Sequence, residues 1–366
     1  MSKSCDLKGN QKIFLLHLNK VASCCNAYPI DMENQSVDYY LDLWKTEKEQ
    51  LAQGVELPGC NYCWQAEKNG HPSHRQQTVG KNFNRIEIYV SNLCNQMCSY
   101  CSPKYSSTWE TNIQEFGNFI NVSRSAKDNL NTGEIHADQA QWVNNLKDLI
   151  SRGPVSIKLL GGEPLMQQRT LQQLLEFNTD QIVRLIINTN LNPPNNKFLK
   201  WVLDKFPLDK LIFAISLDTL PEYNAVPRAG FDKTKFLENL DLLNQYGISF
   251  KFQSVISILN IFSIADYQDW MNSQNYKVEF APINNPDCLS ASLLPDQFKD
   301  LIRRDKLPFD AQQLLDHTPS NVDLKRFEQY NYLKQYFQRT NTVVTDQRLV
   351  NYLEWLTENY ENRNRK

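Results

Sequence analysis

The sequence predicts an α/β chain: an open, partial (β/α)6 TIM-type barrel, preceded by a small metal-binding domain and followed by helices. Three observations carry this. From residue 85 onward, short β-branched runs alternate with amphipathic stretches, the β-then-α order of a parallel sheet with helices outside it. Before that point the chain is rich in cysteine and poor in periodic hydrophobic pattern, as in a small domain stapled by metal. After residue 293 the periodicity becomes helical.

Taken in order, the strand candidates are 85–91, Val155 to Leu160, Ile182 to Asn188, Leu211 to Leu217, Ser249 to Ser257 and Lys277 to Pro282. Amphipathic stretches near 138–151, 168–178, 196–205, 232–246 and 263–273 fall between them. Six strands are too few for a closed eight-fold barrel, hence an open one. The polar run after the first strand, 102–137, reads as a cover over a site or as an insertion. Leu324, Phe327, Tyr330, Leu333 and Phe337, then Leu349, Leu353 and Leu356 behind a Thr345 cap, predict two C-terminal helices packed as core. The expected division is 1–84, 85–285 and 286–366.

Composition narrows the classes. Lys and Arg total 39 against 41 for Asp and Glu in 366 residues, so the net charge does not support a nucleic-acid partner or an anionic membrane surface. The start of the chain lacks a signal-length apolar core, and no later run reaches the roughly 18 residues of a membrane span, so a cytoplasmic location is expected. Nine cysteines, all but Cys288 within residues 5–101, make a poor disulfide pattern and a good one for metal in a reducing compartment.

Cys94, Cys98 and Cys101 form a C-x3-C-x2-C loop directly after the first strand, with Tyr100 between the last two. Three thiolates there can hold three irons of a [4Fe-4S] cube and leave the fourth open, while zinc lacking a fourth ligand or buried free thiols are the plainer readings. The second strand ends in Gly161-Gly162-Glu163-Pro164, where backbone can approach a ligand and a carboxylate can accept from an ammonium group. The third and fourth end in Asn188-Thr189-Asn190 and Ser216-Leu217-Asp218, short polar side chains suited to hydroxyls or to turn formation. Arg228 follows in Pro227-Arg228-Ala229-Gly230. Active residues of parallel architectures lie at such C-terminal strand ends.

Cys5, Cys24 and the pair Cys60 and Cys63 form a second set sufficient for a closed four-thiolate site. Zinc on Cys60, Cys63, His71 and His74 is the alternative. His17, His136 and His317 have no sequence partners and read as structural. Cys288, alone after the last strand, is either a small core residue or a thiol placed to donate a hydrogen atom.

The cysteine loop and the motifs at the strand ends resemble those of the radical S-adenosylmethionine (radical SAM) superfamily. That resemblance implies that Cys94, Cys98 and Cys101 hold a [4Fe-4S] cluster whose open iron is chelated by the methionine part of SAM. It further implies SAM contacts from Tyr100, Gly161, Gly162, Glu163, Asn188, Asn190, Ser216 and Asp218, with Arg228 toward the SAM carboxylate or the substrate. The stretch Cys60 to Arg75, with Trp64, Glu67, Gly70 and Ser73, resembles the twitch module, a shortened SPASM domain holding an auxiliary [4Fe-4S] cluster. Two departures stand out: the module precedes the barrel, and Asn19 replaces the glycine five residues before its second ligand. Counting from Asn19 selects Cys24 over Cys25. The activity implied is reductive SAM cleavage and hydrogen abstraction, for oxidative modification of a peptide or of a carbohydrate or other small metabolite. A flavodoxin- or ferredoxin-type electron donor goes with it. A non-catalytic iron-sulfur or zinc SAM-binding protein is the reading from another class.

Overall fold

The structure, a computed structural model, describes residues 5–8, 10–32, 35–70, 72–77, 84–123, 140–175, 179–283 and 285–365. Its strands are β1 (Gln11–Leu15), β2 (Lys20–Ala22), β3 (Ile30–Asp31), β4 (Arg85–Tyr89), β5 (Met97–Cys98), β6 (Val155–Leu160), β7 (Ile182–Thr189), β8 (Leu211–Ser216), β9 (Arg228–Ala229), β10 (Ser249–Ile256) and β11 (Val278–Pro282). The chain divides into two compact units: Met1–Asn92, Gly133–Asn188 and Lys197–Ile212 make the first, Leu93–Thr132, Thr189–Asn196 and Phe213–Lys366 the second.

In the first unit β7, β6, β4 and β1 lie side by side and parallel, and β2 and β3 continue antiparallel beyond β1. Phe14 is paired with Ile88, which is paired with Leu159, so a buried row crosses three strands. The helices Val37–Ala52 and Ala140–Ser151 cover β1: Trp142 lies 6.1 Å from Phe14 and 6.3 Å from Tyr40, ring to ring. Burying a side chain such as Phe14 contributes about 1.5–3 kcal/mol. Ser36 starts the first of these helices by accepting from the Tyr39 amide.

In the second unit β8, whose first two residues belong to the first unit, lies beside β10, and β10 is parallel to β11. Lys233–Gln245 and Ile264–Ser273 are its strand-connecting helices, and Val322–Thr340 and Gln347–Tyr360 close the chain. β5 and β9 pair separately as a short antiparallel ribbon.

The result is an α/β fold with a mostly parallel sheet and flanking helices, in the strand–helix order expected. All six strand candidates and the five intervening helices are present, the helix near 138–151 starting at Ala140. Three details differ. The units cut across the boundary at residue 85, because β1 of the N-terminal segment pairs along its whole length with β4. Asp346, not Thr345, caps the last helix, accepting from the Arg348 amide. The buried face of Val322–Thr340 runs through Gln329, Tyr332, Leu333 and Tyr336, leaving Leu324 57% exposed. Among the described residues no helix is long and apolar enough to cross a membrane.

Candidate active site

The C-x3-C-x2-C loop opens the second unit and is clamped at each cysteine. The helix Ser107–Phe116 begins just after it, with Ser106 as its cap accepting from the Trp109 amide. Its first residues grip Cys94: the Cys94 amide donates to Ser107 Oγ at 3.1 Å, and Thr108 Oγ1 donates to the Cys94 carbonyl at 2.6 Å. Trp109 Nε1 donates to the Cys98 carbonyl at 2.9 Å. The Cys101 amide closes a turn onto that same carbonyl, and the Ser99 amide donates to Pro227 O. The start of the 102–137 stretch is therefore a clamp on the loop; residues 124–139, with His136, lie outside the described residues.

The ribbon brings Arg228 opposite Cys98. Asp218, wholly buried, accepts from Arg228 Nε at 2.8 Å, from Arg228 Nη2 at 3.3 Å, from the Tyr100 hydroxyl at 2.7 Å and from the Val255 amide at 2.9 Å. Arg228 Nη1 donates to Cys98 Sγ at 3.5 Å, and the guanidinium carbon lies 5.5 Å from the Tyr100 ring centre. Asp218 and Arg228, read from sequence as cofactor contacts, are thus bonded to each other, and Tyr100 joins them. Asn190 Nδ2, in the segment after β7, donates to Asn95 Oδ1 of the same loop, while Ser216 ends β8 half-buried.

Burial pushes the Cys98 thiol up, with Arg228 pulling it back, and pushes Cys101 up to about 12. A metal-bound thiol is deprotonated outright, so ligation reverses that preference. Do these residues fit an iron-sulfur cluster? Among the described residues, Gln96 Nε2 and Ser99 Oγ are buried on the loop with no hydrogen-bond partner, a costly arrangement that anionic sulfur acceptors would relieve. Among the described residues no three His, Cys, Asp or Glu side chains converge on one metal ion. A cube takes each thiolate on a different iron and does not ask for that convergence. The donor set fits.

Two buried tyrosines of the Val322–Thr340 helix carry the loop from the other side. Tyr332 donates to the Ser99 carbonyl at 2.6 Å; the Tyr336 hydroxyl lies 3.1 Å from both Met97 O and Val226 O and accepts from the Ala229 amide. Sequence reading assigned this helix to core and missed the role. The signal was available only in part: tyrosine, unlike phenylalanine, needs a partner when buried. Cys288 is wholly buried and bonded to that helix, its carbonyl taking Gln329 Nε2, and burial pushes its thiol up. It has the surroundings of a core residue.

In the first unit, Gly161 and Gly162 end β6 with φ of 85° and 51°. A Cβ on Gly161 would lie 3.0 Å from Ser91 O, so its missing side chain admits the protein's own backbone. Glu163 is buried and caps the short turn Pro164–Met166 through the Leu165 amide. Asn188 is half-buried on β7.

The N-terminal cysteines also gather within the first unit. Cys5, Cys24 and Cys60 share one buried cluster with Trp64, and Cys63 lies within electrostatic reach of Cys5 and Cys60. Asn19 adopts the left-handed conformation, φ 51°, that a glycine would supply. Cys24 is buried whereas Cys25 is exposed. Buried Lys8 and Arg75 flank the set, Lys8 paired with Glu47 and Arg75 with Glu67, which also takes Ser73. Arg75 lies 4.7 Å over the Trp64 ring. Burial pushes the Cys5 and Cys24 thiols up and Cys60 up to about 11. Four soft donors beside two buried cations suit an anionic thiolate centre. Of the zinc alternative, His71 lies outside the described residues and His74 begins a short helix. His17 is buried against Tyr89 O, a structural histidine.

Comparison with known proteins follows the same lines. Residues 88–271, half of the chain, match the family model of the radical SAM superfamily. The GTP 3',8-cyclase of Campylobacter lari is 28% identical over 182 residues, 49% of this chain and 48% of that protein, so the chain spans about half the length of the curated relative it matches. Similar solved structures include native anSMEcpe with bound AdoMet (17% identity, 55% of this chain and 52% of that one, TM-score 0.40) and Streptococcus suis SuiB bound to precursor peptide SuiA (15%, 86% and 54%, 0.39). With the family model spanning from β4 through the Ile264–Ser273 helix, the cysteine loop included, the chain belongs to the radical SAM superfamily.

Proposed function

We propose that this chain is a radical SAM enzyme that oxidatively modifies a peptide, with Cys94, Cys98 and Cys101 holding the SAM-binding [4Fe-4S] cluster. When bound and reduced by a flavodoxin- or ferredoxin-type donor, that cluster supplies one electron for cleaving SAM to methionine and a 5'-deoxyadenosyl radical that takes a substrate hydrogen. The observation that carries the reading is the loop itself: three thiols fixed by clamped backbone, with buried donors at Gln96 and Ser99 that have no partner among the described residues. The chain's own residues hold and orient. Glu163 and the backbone of Gly161 and Gly162 receive the SAM amino group; Asn188, Asn190 and Ser216 offer hydrogen bonds to its sugar and carboxylate. Tyr100, Asp218 and Arg228 brace the loop.

Cys5, Cys24, Cys60 and Cys63 hold an auxiliary [4Fe-4S] cluster in this proposal. A closed four-thiolate site has no free coordination position, which favours electron transfer or stapling over substrate binding and supports a net oxidation. The peptide class rests on the likeness of residues 60–75 to the twitch module. A small-metabolite substrate is the second reading, favoured by the 28% identity to a GTP 3',8-cyclase.

Anaerobic reconstitution is the test. Iron and sulfide of about eight each per chain are expected for two four-iron clusters, followed by 5'-deoxyadenosine release on reduction with SAM. Loss of two hydrogens from a short peptide encoded beside the gene, read by mass spectrometry, supports the peptide reading; turnover of a nucleotide or sugar instead selects the second. A fully loaded, reduced protein that neither binds nor cleaves SAM overturns the enzyme reading, and zinc in the second site removes the auxiliary cluster.

A further inference from the structure

Across the β5–β9 ribbon, Arg228 is the register partner of Cys98. Its guanidinium is fully aimed: Nε and Nη2 go to Asp218, and Nη1 points to Cys98 Sγ at 3.5 Å. Asp218 cannot turn aside, because Tyr100 and the Val255 amide occupy its remaining carboxylate positions. Its own amide donates to Asn224, and its carbonyl takes Ser254 and Asn260. Both members of the pair are buried, so water does not compete for the sulfur.

We propose that Arg228 is a positioning residue that donates a fixed hydrogen bond to the Cys98 thiolate and so raises the reduction potential of the cluster held there. The inference rests on the assignment of Cys98 as a cluster ligand. Reduction adds one electron to a group that is already anionic. A donor on a ligating sulfur stabilises the more negative state, and such bonds are among the determinants of cluster potential. Asp218 offsets the cation's charge, so what reaches the sulfur is a directed N–H more than a net field. Lysine, a point charge without the planar fork, then cannot serve both Asp218 and Cys98 as arginine does.

The test is an EPR-monitored redox titration of the full, anaerobically reconstituted chain, following the signal that changes when SAM is added. Arg228→Gln combined with Asp218→Asn removes the pair without stranding a buried charge. We expect about a tenfold loss in the one-electron reduction equilibrium, ~59 mV more negative, and an intermediate shift in Arg228→Lys. A second measurement is made on the parent itself, with Arg228→Lys as its control. In the parent labelled with 15N-arginine, pulsed EPR of the reduced cluster should show a nitrogen coupling that disappears in Arg228→Lys. Full cluster content with an unmoved midpoint overturns the proposal, as does absence of the coupling in the parent, which decides the matter if the double variant fails to fold. Failure of the underlying assignment looks different: the SAM-responsive signal would survive in C94A/C98A/C101A.

Discussion

Gly230 is bound by geometry in a way that its neighbours are not. It has φ of 90°, and a Cβ built on it would stand 2.6 Å from the carbonyl of Asn95, backbone that cannot yield cheaply. Gly230→Ala is expected to cost about 1–3 kcal/mol and to push the cysteine loop away from β9; denaturant titration and iron content of the reconstituted variant check this. Lys12 makes a different point about single residues. Burial lowers its pKa from an ordinary 10.5 to about 8, with Asn84 Oδ1 as its partner. Between those values the folded chain binds fewer protons than the unfolded one, so the penalty for charging Lys12 is full below pH 8 and lifts as pH rises toward 10.5. Lys12→Met should therefore be more stable than the parent near pH 7 by up to about 3 kcal/mol, with the advantage shrinking across that window in urea melts. Residue-level reading of the sequence is most specific where chemistry and spacing coincide, as at Cys94, Cys98 and Cys101. It was weakest at Asp218 and Arg228, whose mutual bond depends on a ribbon of two-residue strands that carries no periodic signal.

Among elements, the Val322–Thr340 helix does more than close the chain. Its buried face brings Tyr332 and Tyr336 onto loop carbonyls, so a segment more than 200 positions away in sequence fixes the backbone between Met97 and Ser99. Tyr332→Phe and Tyr336→Phe each remove a donor while keeping the ring. Each is expected to cost roughly 1–3 kcal/mol by leaving buried carbonyls unpaired, and the pair together to lower iron retention during gel filtration more than either alone. The strands and helices after residue 85 were legible because β-branched runs and amphipathic runs differ in period. β1, Gln-Lys-Ile-Phe-Leu, was not: every residue in it is buried, so no alternation marks it as a strand. Ser106 caps the helix Ser107–Phe116, but short polar residues of this kind also form turns, so the start of that helix is not distinct within a polar connection.

At the scale of the whole chain, the cysteine-bearing N-terminal segment is not an appendage hung on a finished sheet. β1 supplies the parallel neighbour of β4 along its full length, and the helix Val37–Ala52 covers it. Deleting residues 1–84 would expose an apolar row at Ile86 and Ile88 and leave the β4 edge unpaired, a template for aggregation. We expect the truncated chain to be insoluble or to run as large species in gel filtration, whereas a monodisperse, iron-binding product would show that the segment folds apart. Function was less legible than fold at this scale, since the motifs specify cofactor chemistry and leave the substrate to surfaces that no spacing rule encodes.

Trp109 lends the loop an optical property. Its indole is wholly buried and donates to the carbonyl of Cys98, so its ring lies next to the proposed cluster position. Iron-sulfur clusters absorb across the near ultraviolet and visible and quench nearby indole emission. Cluster assembly should therefore darken Trp109 in step with iron uptake, and subtracting the trace of Trp109→Phe from that of the parent should isolate the step. The molecule would then carry a fluorescence clock for its own maturation, readable in a stopped-flow cell without added label.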